Sequence, residues 1–61
     1  MTYSAEQKLG AVRRELEYRR RVYARAVAEG RMARQFADWQ IRIFEEIAAD
    51  YEPKAEGERL I

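Results

Sequence analysis

Between Ala33 and Glu52 two apolar seams run side by side, and no single neighbour can cover both. One is Phe36, Gln40, Ile43 and Ile47; the other, beside it, is Ala37, Ile41, Phe44, Ala48 and Tyr51. Their steps of three and four residues place each set on one face of an α-helix. The polar stripe left over is narrow, carried mainly by Asp38, Arg42, Glu45 and Glu52. A helix apolar over so much of its circumference has to be buried by several neighbours.

The preceding stretch supplies the first neighbour. Ala5, Leu9, Val12, Leu16, Arg19, Tyr23 and Ala26 follow the alternating spacing of a coiled-coil seam, widened near its end by Val22 and Val27. Ser4 and Gln7 fit a capping box, in which each side chain satisfies a free backbone N–H of the first turn. Gly30 stands where a helix end favours a left-handed residue, and Pro53 disfavours helix at the residue before it. The spacing therefore predicts one all-α domain over residues 1–61: a helix at about 5–29, a turn at about 30–32, a helix at about 33–52 and a frayed tail at 53–61. Arg31, Met32 and Ala33 lack the side-chain oxygen of a good N-cap, so one continuous helix through Gly30 stands as the alternative to an antiparallel hairpin.

A lone hairpin of this size is short of core. Chains so small bury only about 60% of their unfolded surface and are commonly held by disulfides, a metal or oligomerisation. The sequence has no cysteine and no histidine, which removes disulfides and leaves no ordinary zinc ligands. Self-association remains. The expected architecture is an antiparallel helical hairpin assembling into a homo-oligomeric helical bundle, for which a dimer of four helices is the smallest closed form. Its expected interface is Leu9, Leu16, Phe36, Ile41, Ile43, Phe44, Ile47 and Tyr51. No apolar run approaches the roughly 20 residues that span a bilayer, and Met1–Glu6 lacks the pattern of a signal peptide. The expectation is a cytoplasmic protein with no membrane partner.

The stretch from Arg19 to Tyr51 resembles a group of short uncharacterised proteins encoded by bacteriophages and prophages. The shared residues are Val22-Tyr23, Arg25, Val27, Gly30-Arg31-Met32, Ala37-Asp38, Ile41, Ile47-Ala48 and Asp50-Tyr51. The group often carries Pro where Ala24 stands, Trp where Ala26 stands and Thr or Ser where Ala33 stands; the last departure removes a helix cap. The resemblance implies a helical hairpin and a phage origin and assigns no activity. By analogy, it favours a small non-enzymatic protein acting on the host by covering a protein or sequestering a signalling molecule.

Catalytic equipment is sparse. Thr2 and Ser4 are the only hydroxyl nucleophiles apart from tyrosines, and neither has a histidine to activate it. Glu46 and Asp50 share a helix face, but magnesium-dependent helical hydrolases repeat carboxylates on two helices, whereas Glu15 and Glu17 point in different directions. The chain is therefore expected to be no enzyme and to use no cofactor or metal.

The basic residues are more informative. Net charge is only +1, yet residues 1–34 hold nine Lys/Arg against four Asp/Glu and residues 35–61 hold three against seven; ten of the twelve basic residues are Arg. Arg suits bidentate contact with phosphate, and aromatic faces and guanidinium planes stack on bases. The candidate ligand-binding residues are Arg14, Arg19, Arg20, Arg21, Tyr23, Arg25, Arg31 and Trp39. Their plainer reading is a solvated, salt-bridged surface with Tyr23 and Trp39 in the core. Arg19 occupies a seam position, where it pairs with Glu46 or Asp50 or lines a cavity between subunits. Three partners follow besides the chain itself: an anionic nucleotide-like small molecule at Arg/Tyr-lined intersubunit sites, a host protein on an exposed helix face, or nucleic acid on the basic helix. The last is disfavoured by near-neutral charge and by Glu15, Glu17 and Glu29 among the arginines.

Overall fold

A computed structural model describes residues 2–60; Met1 and Ile61, which the expected domain and tail include, lie outside the described residues. Two helices make up the fold, α1 over Ala5–Ala28 and α2 over Arg34–Arg59. They pack as an antiparallel hairpin 47 Å long.

Helix α1 starts and ends on local signals. The Ser4 side chain accepts from the Gln7 N–H, and the Gln7 side chain accepts from the Ser4 N–H, so α1 starts on the capping box. It ends at Glu29 with two closing bonds, Arg31 N–H to the Ala26 carbonyl at 2.8 Å and Gly30 N–H to the Val27 carbonyl at 3.1 Å. That pair of bonds requires a left-handed residue, and Gly30 supplies it with φ 76°. The chain breaks at Gly30, and α2 starts after Ala33, whose side chain offers no cap. Met32 is half-buried beneath this turn.

The second seam of α2, and not the first, faces α1. Ala37 and Ala48 are buried and Ile41, Phe44 and Tyr51 half-buried, whereas Phe36 is 46% and Ile43 39% exposed. Leu9 and Leu16, expected at the oligomer interface, are instead the two largest members of the hairpin's own core, at 3% and 6% exposed. They sit on the inward seam and have no surface left to offer another chain. The other four buried residues are alanines, which let the helix axes approach but bury little apolar area each.

The open end departs from expectation. The predicted stop at Pro53 and frayed tail from 53 onward are replaced by helix through Arg59. Pro53 removes one intrahelical bond and costs about 3 kcal/mol in a helix interior, so something must offset it. Ala55 is fully buried against Leu9 and Ala48, with Ala5, Val12 and Tyr51 packed around them. Glu58 adds a second tie: its carboxylate accepts the Ala5 N–H at 2.8 Å and the Glu6 N–H at 3.0 Å. The last turn of α2 thus caps the first turn of α1, where free N–H groups and the helix dipole both favour a negative charge. These bonds hold the Glu58 carboxyl below its ordinary value.

Candidate functional site

Heptad spacing divides the hairpin into two edges. Residues one step after each seam position, Arg13 and Arg20 on α1 and Glu45 and Glu52 on α2, meet across the groove: Arg20 pairs with Glu45 at 2.9 Å and Arg13 with Glu52 at 3.4 Å. Residues on the opposite side of each seam include the exposed Tyr18 and Val22 on α1, the exposed Phe36 and Ile43 on α2, and the half-buried Ile47, so the other edge is apolar.

Arg19 does not pair with Glu46 or Asp50. Its Nε donates to Glu15 Oε1 at 2.8 Å, its Nη1 donates to the Tyr23 hydroxyl, and its guanidinium lies over the Phe44 ring at 4.5 Å. Glu15 is one turn back on the same helix and needs no neighbouring element to reach it, which is why it wins over the carboxylates of α2. Desolvation lowers the Arg19 pKa, but the bond to Tyr23 and the charge of Glu15 together outweigh it, so the pKa is raised. Arg is charged at any working pH in any case, and the cluster forms a polar layer at the seam.

The remaining candidates are dispersed. Arg25 and Arg31 both converge on Glu29, at 3.3 and 2.6 Å. Arg14 and Arg21 form no ion pair among the described residues and lie on the outer face of α1, away from α2. Trp39 does not approach the arginines of α1; it is 60% exposed and packs edge-on against Phe36, with centroids 6.1 Å apart. A surface hollow of about 630 Å³ is lined by residues from Tyr3 to Arg14 alone, so no second element converges on it.

Clefts that draw on both helices include one of about 450 Å³ along the Arg13–Glu52 and Arg20–Glu45 pairs and one that gathers two of the candidates. The latter lies near the turn, holds about 270 Å³, and is lined by Arg20, Tyr23, Val27, Arg34, Asp38 and Ile41 among others. Arg34 belongs to the basic residues that follow the turn in the sequence but is not among the ligand-binding candidates, because its place across the turn from Arg20 and Tyr23 depends on the hairpin closing. Arg34 makes no ion pair among the described residues, and neither does Asp38 one turn later. The cleft therefore presents one unpaired guanidinium, one guanidinium shared with Glu45, a phenol ring and one carboxylate.

Among the described residues no group of three or more Asp or Glu side chains is placed to hold a metal ion, and no helix is long and apolar enough to cross a membrane. No family model, curated protein or solved structure matches this chain.

Proposed function

We propose that this chain is a non-enzymatic, self-associating binding protein that takes up an anionic, nucleotide-like small molecule through its arginines. The observation that carries the reading is the cleft at the turn, where Arg20 and Tyr23 of α1 and Arg34 of α2 line one concave surface. Guanidinium forks suit phosphate oxygens, and the Tyr23 ring offers an apolar surface beside them. At about 270 Å³ the cleft is just below the usual range for small-molecule sites, roughly 300 Å³ upward. It takes the phosphate end of such a ligand and leaves the rest on the surface. The site in this reading lies within each hairpin and not between subunits. In the phage setting that the sequence resemblance implies, such capture depletes a host signal without chemistry.

The test is calorimetry with mononucleotides and cyclic dinucleotides at low salt. Binding is expected to weaken roughly two- to fivefold for Arg34→Gln or Arg20→Gln, the effect of one exposed charge, and to tighten for Asp38→Asn. A ligand series that produces no heat sinks the reading, and so does binding that ignores all three changes.

A second reading, docking onto a host protein, is favoured by the exposed Phe36–Trp39 pair, since aromatic side chains dominate protein interfaces. Trp39→Ala abolishing capture of a stoichiometric host partner, with nucleotide binding absent, decides for it.

A further inference from the structure

The two edges of the hairpin are not equivalent, and the apolar one is unfinished. Tyr18 and Val22 on α1 face the same way as Phe36 and Ile43 on α2, all exposed and in the half of the hairpin nearer the turn, with the half-buried Ile47 beside them at mid-length. At the far end the same edge turns polar, with Lys8 and Lys54 both leaning on the Tyr51 ring at 5.8 and 5.4 Å. Among the described residues, four of the six buried ones are alanine, and no large side chain is fully buried. Several large apolar groups are thus displayed on a surface while alanines make up most of the fully inward positions.

We propose that this edge is the docking face for a second copy of the chain, joined through a two-fold axis that runs parallel to the helices and leaves both turns at the same end. This rests on the self-association in the reading above and not on ligand capture. Three observations select a second copy and this orientation. The face of a hairpin 47 Å long and 18 Å wide spans about 800 Å², the area each partner contributes to a standard stable interface. The net charge of +1 sets almost no repulsion between copies. The helices themselves are opposite in sign: α1 holds seven basic and three acidic residues, α2 four and seven. A same-end dimer lays each α1 on the partner's α2 and brings unlike charges together, with apolar half against apolar half. The reverse orientation lays α1 on α1 and sets Lys8 and Lys54 towards the apolar half. The cleft of Arg20, Tyr23 and Arg34 stays on the outer side of the dimer, open in each copy.

The experiment is analytical ultracentrifugation of the full chain with dipolar spectroscopy on a spin label. The chain has no cysteine of its own, so Arg31→Cys gives a single label at the turn. A dimer at micromolar concentration is expected, with labels about 10–25 Å apart, the spacing of neighbouring helices in a bundle plus the label arms. Ile43→Glu and Val22→Glu should each convert it to a monomer that keeps its helical circular dichroism, while Glu17→Gln on the other edge leaves the dimer intact. Since Ile43 and Val22 are each 39% exposed in the hairpin, neither change should disturb the core; if one variant unfolds, the other and the label distance still decide. A wild-type monomer overturns the proposal, as does a dimer that survives both glutamates or holds its labels more than about 30 Å apart, beyond the width of a four-helix bundle. Nucleotide binding is read separately on the monomeric variants: retained binding with loss of the dimer upholds both readings, and a dimer without nucleotide binding removes only the ligand.

Discussion

The two ends of the hairpin are closed by different means. At the turn, every device lies within six residues of the next: Ala26 and Val27 accept the closing bonds, Gly30 takes the left-handed conformation, and Arg31 donates to the Ala26 carbonyl. At the open end the ties join residues more than forty positions apart, Leu9 to Ala55 and Glu58 to Ala5 and Glu6. The lesson is that α2 extends past its proline because α1 is there to receive it. A helix with Pro53 in its interior would not persist through Arg59 on local propensity.

That contrast can be broken at its strongest point first. Leu9→Ala removes the largest side chain from the open-end core and should cost about 2–5 kcal/mol in urea denaturation, the range for buried leucines. A loss below about 0.5 kcal/mol, typical of surface changes, would mean that the open end is not packed as described. Gly30→Ala should cost less, about 1–2 kcal/mol, because the methyl group meets nothing within 4 Å and only the left-handed backbone is penalised. An unchanged melting temperature would show that the turn does not need its glycine.

The smallest effect, and the one that separates the two ends most cleanly, is the pH response of Glu58. Its folded pKa is depressed by the backbone bonds from Ala5 and Glu6, with a smaller contribution from Lys8 against opposing desolvation. A depressed carboxyl stabilises the fold above its unfolded pKa and loses that contribution as pH falls through the folded value. Acidification below the ordinary carboxylate range should therefore speed amide exchange at Ala5 and Glu6 while the turn-end amides of Gly30 and Arg31 hold. Glu58→Gln should abolish most of that difference; equal exchange at both ends across the titration would sink the assignment.

Much of the candidate site is legible in one dimension, but its assembly is not. Heptad spacing located the Arg19 seam position and the candidates Arg20 and Tyr23, which share the cleft at the turn. It could not say that Glu15 would take Arg19, that Glu29 would take both Arg25 and Arg31, or that Trp39 would turn to Phe36. Each outcome depends on which of several partners within reach lies in the better geometry, and charge counts do not contain geometry. The place of Arg34 beside Arg20 and Tyr23 is hidden from the sequence for the same reason.

The sequence by itself determined the all-helical class, the capping box at Ser4, the break at Gly30 and the excess of apolar surface on α2, because each depends on residues within a few positions of one another. Tertiary structure alone decided which of the two α2 seams faces inward, and it chose the alanine-rich one because small side chains let the helices pack closely. It also decided that residues 53–59 are helix, through the burial of Ala55 and the Glu58 cap on α1. Contacts between residues fifty positions apart leave no periodic trace in a sequence, and they appear only once the chain has folded back on itself.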